Sequence, residues 1–297
     1  MSAAVPKVDH KLDARAAAVA VLVMAVLGGS YTAGKVAVHD LPVFGTLELR
    51  MLITTAVLGA YAWWARVPLA YRGGEARFIA AQTGFFLMAQ TLLFIGLTMT
   101  SAGRAAILFN MQPFFTLLVL PLFVPSERLT ARRWAGTAIA FAGVALVLAE
   151  RGMTSGALLG DLLCLISALG WTGNVILNKR MPTAIHPAAI IFWSAAASIP
   201  VFLLVTLTLE SGAAWNFTAG AVAGVLYLGM IAATLGFVLM VWLTVNYSAS
   251  RVNVFVFLSP VFGVLIGWAM LGEPITVQQA LGAAAVAAGI LLVSLEA

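Results

Sequence analysis

Two asparagines lie in apolar segments where their amide groups could hydrogen-bond a bound solute. Asn110 lies three residues before Pro113, and Asn253 lies seven residues before Pro260. A proline inside a helix removes a backbone donor and usually bends the helix, and a buried polar side chain usually faces other helices or a wet cavity. We therefore predict that Asn110 and Asn253 contact a substrate and that Pro113 and Pro260 act as conformational hinges. The alternative is that the asparagines only hydrogen-bond neighbouring helices.

Four further residues are predicted to bind substrate. Gln90, Trp171 and Tyr227 add hydrogen-bonding and amphipathic groups within other apolar segments. Aromatic walls with a few amides suit an amphipathic organic solute better than a bare ion. Lys35 could attract an anionic group of that solute, such as a carboxylate, or its side chain could extend to the membrane surface instead.

Three other charged residues lie in apolar segments. Glu48 and Arg50 are two positions apart, so they do not face each other on a helix and each needs a separate partner. Asp161 is expected at the start of a helix, where the helix dipole favours an acid, with proton coupling as the alternative role.

Catalytic and metal-binding motifs are not found in this sequence. The segment from Gly29 to Lys35 has the spacing of a phosphate-binding loop, but Val36 replaces the required hydroxyl residue and the surroundings are apolar. The three histidines fall in predicted loops or helix ends, and no nucleophile elbow or zinc-binding pattern occurs. We expect no catalytic residues, no metal and no cofactor, and a membrane-embedded enzyme is the least favoured alternative.

The composition indicates the environment in which these residues are held. Hydrophobic residues make up 62% of the 297 positions, charged residues 9%, and the mean hydropathy is +1.04. A soluble domain is about one quarter charged, so the chain is predicted to be a polytopic membrane protein in contact with the lipid bilayer. The formal charge of +5 sits in short clusters between apolar runs, so a nucleic-acid partner is not expected.

Ten apolar segments are long enough to cross a bilayer, which needs about 20 residues per helix. They are residues 16–38, 44–64, 78–99, 102–123, 132–149, 157–178, 188–209, 219–243, 252–271 and 277–295. Continuous apolar runs predict helices rather than a membrane barrel. Thr130 is predicted to cap the start of the fifth span. Thr276, with Gln279 three residues later, fits a capping box at the start of the tenth.

The chain contains an internal repeat. Ser101-Ala-Gly-Arg and Pro113 recur as Ser248-Ala-Ser-Arg and Pro260, each 147 positions later. Repeated hydrophobic units that meet near the middle of a bilayer are typical of secondary transporters. We therefore predict two five-helix units, residues 1–150 and 151–297, around a central cavity.

The distribution of basic residues predicts the orientation of these units. Five groups, one before the first span and one after every second span, hold 12 of the 16 basic residues. They are Lys7, Lys11 and Arg15; Arg66, Arg72 and Arg77; Arg128, Arg132 and Arg133; Lys179 and Arg180; Arg251. By the positive-inside rule these groups and both termini are cytoplasmic. Because each unit has an odd number of spans, the two units are predicted to be inverted.

The sequence resembles the EamA-type members of the drug/metabolite transporter superfamily. Leu-Thr-Met-Thr-Ser-Ala precedes the fourth span and Ser-Glu-Arg-Leu-Thr the fifth, while Tyr-Ser-Ala and Leu-Gly-Glu-Pro-Ile-Thr occupy the matching places in the second unit. Lys35 and Arg50 also match positions typical of the first unit. Within the superfamily the chain is most similar to the YddG-type amino-acid exporters of bacterial inner membranes. That resemblance implies export of neutral and aromatic amino acids through a central cavity with alternating access.

These observations predict a secondary transporter that moves small amphipathic metabolites, most of all amino acids, out of the cytoplasm. An exporter of drugs or other metabolites with the same fold is the main alternative. For cationic drugs it would need an acid within the membrane, for which Glu48 and Asp161 are the candidates. The sequence does not determine the oligomeric state, with which a monomer is compatible, or whether transport is coupled to protons.

Overall fold

The structure is a computed structural model of the chain, and it describes residues 14–70, 76–123, 130–150, 155–180, 186–247, 252 and 254–294. Within these ranges ten helices are long and apolar enough to cross a membrane, which confirms the predicted all-α, ten-span architecture. We number the spans α1 to α10. Their bounds are α1 Ala14–Asp40, α2 Val43–Trp64, α3 Ala76–Met99, α4 Ala102–Phe123, α5 Ala131–Leu148, α6 Ser155–Arg180, α7 Pro187–Leu209, α8 Ala219–Leu226 with Tyr227–Leu235 and Gly236–Asn246, α9 Val254–Leu271, and α10 Val277–Ser294.

Hydroxyl side chains fix where several spans begin. Ser101 accepts a hydrogen bond from the Arg104 amide at 3.2 Å, and Thr130 accepts one from the Arg133 amide at 3.3 Å. Thr276 accepts from the Gln279 amide at 3.2 Å. Because the first amides of a helix have no partner within it, such caps stabilise the helix start. The predicted caps at Thr130 and Thr276 are confirmed.

Two spans have an irregular stretch just before a proline. The helix of α4 is interrupted at Asn110 and Met111 and resumes at Gln112, so that Pro113 lies in the first turn of the second part. In α9 a 3₁₀ turn, Val254–Phe257, precedes the α-helix that contains Pro260. A proline is tolerated in a first helical turn, where the amide that it lacks would be unpaired anyway. The sequence predicted a bend at each proline, and the structure has the irregularity one turn earlier.

The span α8 is irregular in its middle. Residues Tyr227–Leu235 form a π-helix between two α-helical parts. Such stretches are rare and occur mostly near functional sites, because the wider turn moves side chains out of the regular register. Ala232 and Ala233 of this stretch line the cavity described below.

Equivalent spans of the two units pack in antiparallel pairs. Between α5 and α10, Gly136 lies against Gly289 and Gly143 lies against Gly282. A Cβ atom added at Gly289 would lie 2.6 Å from the Gly136 carbonyl oxygen, so the two backbones touch. Small residues allow this close approach between membrane helices.

The pairs α2 with α7 and α4 with α9 are also antiparallel. The start of α2 meets the end of α7, and Gly59, near the end of α2, lies against Phe192 at the start of α7. In the second pair, Gly267 lies against Gly103, whereas Asn110 is hydrogen-bonded to Ser259. The contacts between α3 and α6 have their counterpart between α8 and α1. Exchanging the two units therefore preserves the main helix contacts.

Five interhelical links gather at one end of the bundle, which we call the Asp40 end; the opposite end is the Ala14 end. The Asn216 amide donates to the Asp40 carbonyl at 3.0 Å, which joins the α7–α8 link to the end of α1. The Ala102 amide donates to Glu273 at 2.8 Å, which joins the α3–α4 link to the α9–α10 link. Residues 102–108 of α4 are all buried, so this half-helix lies at the centre of the bundle.

Candidate functional site

Two adjoining cavities lie inside the bundle. The larger has a volume of about 630 Å³ and extends from the middle of the bundle toward the Ala14 end. The smaller, about 240 Å³, lies deeper. They share part of their walls: Leu27, Arg50, Gln90, Trp171 and Met240. The volume of the larger cavity suits a small organic molecule.

The larger cavity reaches an exposed residue, Asn178, which lies two positions before the end of α6. Most of its lining residues come from the starts of α3 and α7, the end of α6 and the second half of α8, which lie toward the Ala14 end. Leu27 of α1 and Arg50, Met51 and Thr54 of α2 also line it. The smaller cavity extends no further toward the Asp40 end than Tyr31 and Leu97. Neither cavity is lined by a residue of the links at the Asp40 end.

Arg50 occupies the junction of the two cavities. Its Nη1 donates to Gln90 Oε1 at 3.1 Å, and the guanidinium carbon lies 5.5 Å from the centre of the Phe94 ring. Its Nε has no hydrogen-bond partner. Over the part of the chain that the structure describes, no carboxylate forms an ion pair with Arg50. Arg50 was not predicted from the sequence to bind substrate. Its contact with Gln90, 40 residues away, depends on the fold and leaves no pattern in the sequence.

Aromatic rings form one continuous wall beside Arg50. Trp171 lies 6.1 Å from Phe86 and 5.9 Å from Phe109, measured between ring centres, and Phe109 lies 6.1 Å from Tyr31. These distances are those at which aromatic side chains attract each other in edge-to-face or tilted arrangements. The wall gives a solute a large apolar surface close to a fixed cation.

Amide and hydroxyl groups complete the lining. Asn110 donates to the Ala106 carbonyl at 2.7 Å and lies 3.4 Å from the Tyr31 hydroxyl and 3.5 Å from the Ser259 hydroxyl. It therefore joins α4 to α1 and α9 while it borders the smaller cavity. Ser194, in the larger cavity, has a hydroxyl oxygen without a hydrogen-bond partner.

The predicted site residues are only partly brought together. Gln90 and Trp171 line both cavities and Asn110 lines one. Tyr227 lies outside both walls, where its hydroxyl donates to the Val26 carbonyl at 2.9 Å. Asn253 lies outside the described residues.

Lys35 holds the end of α3. Its Nζ donates to the Leu97 carbonyl at 2.9 Å and to the Thr100 carbonyl. These carbonyls belong to the last turn of a helix, where a cation is favourable. Lys35 does not line either cavity, whereas Arg50 lines both.

The two candidate acids are also outside the cavity walls. Asp161 is fully buried and accepts hydrogen bonds from Arg104 and from the Thr100 hydroxyl, the latter at 2.5 Å. Arg104 also pairs with Glu150 and donates to the Val147 carbonyl at 2.7 Å. A buried charge is tolerated when it is paired and hydrogen-bonded, and the cluster joins α4, α5 and α6 near the Asp40 end.

Two carboxylates of the second unit bind helix starts of the first unit. Glu210 accepts from the Phe44 amide at 3.0 Å and the Gly45 amide at 3.1 Å, at the start of α2. Glu273 accepts from the Ala102 and Gly103 amides, at the start of α4. The free amides and the dipole of a helix start favour such an anion. These bonds hold the two units together at the Asp40 end.

A family model and several known proteins match this chain. Residues 14–149 and 158–295 each match the model of the EamA-like transporter family. The chain is 31% identical to a Salmonella typhimurium (strain LT2) protein named "Probable amino-acid metabolite efflux pump", with 92% of each chain covered. An Escherichia coli (strain K12) protein of the same name is 30% identical, also with 92% of each chain covered.

More distant matches agree in architecture. An uncharacterized transporter of Archaeoglobus fulgidus is 26% identical over 91% of this chain and 94% of its own. One solved crystal structure is 20% identical and superimposes with a TM-score of 0.66, covering 95% of this chain and 96% of that chain. At that identity the likeness concerns the fold alone.

Proposed function

Because the chain belongs to the EamA-like transporter family, we propose that it exports small amphipathic metabolites, amino acids among them, from the cytoplasm by alternating access. It is a multi-pass membrane protein, and the names of its family and relatives are those of transporters rather than enzymes. The proposed membrane is the bacterial inner membrane.

One observation carries the proposal: access to the interior is one-sided. The larger cavity extends toward the Ala14 end, whereas Glu210, Glu273 and the Arg104–Asp161 ion pair join the units at the Asp40 end. A transporter needs a central site that is reached from one face at a time. The arrangement suits a state in which the solute enters from the Ala14 side.

The Ala14 end is proposed to face the cytoplasm. Arg15, Arg77 and Arg132 lie at helix starts on that side, and the positive-inside rule favours this orientation. Both termini would then be cytoplasmic and the described state inward-facing.

Inversion of the two units would supply the alternative state. Three pairs of equivalent spans run antiparallel, and the contacts are preserved when the units are exchanged. Two inverted units can therefore adopt two related arrangements, with the site open to one side or the other. The irregular turns before Pro113 and Pro260 are the proposed hinges, since each interrupts the regular α-helix of its span.

The cavity chemistry favours neutral and aromatic amino acids as substrates. The ring wall around Trp171 offers apolar surface, while Gln90 and Asn110 offer amides. The relatives' names mention amino-acid metabolites. A cationic drug would need a nearby acid, yet neither Glu48 nor Asp161 lines the walls.

A flux measurement tests the proposal. Proteoliposomes that contain only this protein and are loaded with L-phenylalanine should release it faster than protein-free vesicles with the same load. Replacing Trp171 by Ala should slow release by about tenfold, because a ring contact and its buried area are lost. As a control, Trp63→Ala should leave release unchanged, since Trp63 is 85% exposed at the end of α2. Rates equal to those of protein-free vesicles for every amino acid tested would disprove the proposal.

A further inference from the structure

We infer that the cavity recognises its solute through a carboxylate bound by Arg50, and that an amino group on the solute is dispensable. The protein would then also carry apolar monocarboxylates that have no amino group. This inference rests on the proposed function, because it names the chemical group that the same cavity binds.

Arg50 is placed to bind a carboxylate. It borders both cavities. Among the described residues its guanidinium makes one hydrogen bond, from Nη1 to Gln90, and its Nε has no partner. A guanidinium carries five N–H donors in a planar fork, which matches the two oxygens of a carboxylate. The fork thus retains unused donors next to the space where a solute would lie.

The charge of the cavity walls favours an anion. Arg50 is the one Lys, Arg, Asp or Glu residue among the described residues that line the two cavities. A charge without an ion-pair partner attracts an anion more strongly between apolar walls than in bulk water, and a solute carboxylate would supply that anion. Asp161 is already bonded to Arg104, and Glu48 is outside the walls.

An ammonium group has a weaker environment in the same space. The described lining offers it neutral oxygens, such as those of Ser194, Asn174 and Gln90, but no carboxylate. A hydrogen bond between a cation and a neutral oxygen is weaker than one between two ions. The solute's amino group therefore adds little to binding, whereas the carboxylate is required.

The apolar part of the solute has a defined place. Trp171 borders the same two cavities as Arg50 and continues into the wall of Phe86 and Phe109. A carboxylate on Arg50 would leave the rest of the molecule against these rings. Aryl-substituted short-chain carboxylates fit that description.

Three probes with one carbon skeleton test the inference on the purified full-length protein. L-phenylalanine carries both charged groups, 3-phenylpropionate carries only the carboxylate, and 2-phenylethylamine carries only the ammonium. Isothermal titration should give dissociation constants within about tenfold of each other for the two carboxylates. The amine should bind at least about tenfold more weakly, as expected when one charge-assisted hydrogen bond is lost.

Two variants and one control locate the carboxylate. Arg50→Gln should weaken both carboxylates at least about tenfold, and Arg50→Lys, which retains the charge, should recover part of the affinity. The control is Arg15→Gln, since Arg15 is exposed at the start of α1 and should have no effect. If Arg50→Gln does not fold, the comparison of the three probes on the unaltered protein still decides.

The outcomes distinguish this inference from the proposed function. Amine binding equal to that of phenylalanine, or phenylalanine transport that 3-phenylpropionate does not inhibit, would overturn the inference and leave export intact. Binding of both carboxylates without any amino-acid flux would support the inference while the proposed function failed.

Discussion

At the scale of single residues, Arg104 and Asp161 form a buried ion pair that the sequence alone did not reveal. Arg104 is 4% exposed and Asp161 0% exposed, and they lie on α4 and α6. Removing the Asp161 charge leaves the buried Arg104 with Glu150 as a remaining charged partner, so its charge is compensated less well. The pair is therefore expected to contribute strongly to the stability of this part of the bundle.

Asp161→Asn should destabilise the protein by about 1–3 kcal/mol, because the Arg104 guanidinium loses a buried charged acceptor while Glu150 still pairs with it. The measurement is thermal unfolding of the purified variant in detergent. Asp40→Asn serves as the control: Asp40 lies at the surface, bonded to Thr218, and its replacement should cause a much smaller change. Equal melting temperatures for Asp161→Asn and the unaltered protein would show that the pair is not needed for stability.

The sequence identified part of the cavity wall at this scale. Gln90 and Trp171 were selected for their type and depth, and both line the cavities, although their contact with substrate stays a prediction. Lys35 and Tyr227 were selected for the same reasons, but each is bonded to a backbone carbonyl of another span. The partner of a polar side chain depends on tertiary packing, so its type and depth could not separate these two cases.

At the scale of helices, the pair α5 and α10 depends on glycine. An added Cβ at Gly289 would lie 2.6 Å from the Gly136 carbonyl oxygen and 3.0 Å from the Ala140 Cβ. The first contact is with backbone, which cannot rotate away as a side chain can. Any side chain at this position would force the helices apart.

Gly289→Ala should therefore lower stability by about 1–3 kcal/mol, the usual cost of overpacking a well-packed core. Gly84→Ala is a matched control, since a Cβ at Gly84 meets nothing within 4 Å. Alanine also favours a helix over glycine, so the control should be neutral or slightly stabilising. Both variants are compared by thermal unfolding in the same detergent, and equal losses for the two would contradict the packing argument.

Hydropathy predicted all ten spans, because the length of a bilayer crossing strongly constrains the sequence. The repeated prolines indicated which of these spans would be irregular, but the irregularity lies at Asn110 in α4 and ends at Phe257 in α9, one turn before each proline. The π-helical part of α8 had no sequence signal. A wider turn of this kind depends on packing around it, which composition does not record.

At the scale of the whole molecule, closure of the Asp40 end depends on bonds between the two units. Glu210 of the second unit accepts hydrogen bonds from the Phe44 and Gly45 amides of the first. These bonds cannot persist if the units separate at that end. In the proposed transport cycle they would therefore favour the state in which the cavity is reached from the Ala14 end.

Glu210→Gln should shift the population toward the state that is open at the Asp40 end. Loss of a carboxylate at a helix start costs about 1 kcal/mol, which corresponds to roughly a fivefold change in the ratio of the two states. Single cysteines that replace Thr46 and Val175, with the buried Cys164 changed to Ala, report on the two ends. Thr46 is fully buried near the Asp40 end, and Val175 lines the larger cavity. With a membrane-impermeant thiol reagent applied to the purified protein, Glu210→Gln should speed labelling at position 46 and slow it at position 175. Faster labelling at both positions would indicate loosening of the whole fold, and unchanged labelling at both would mean that Glu210 does not control closure.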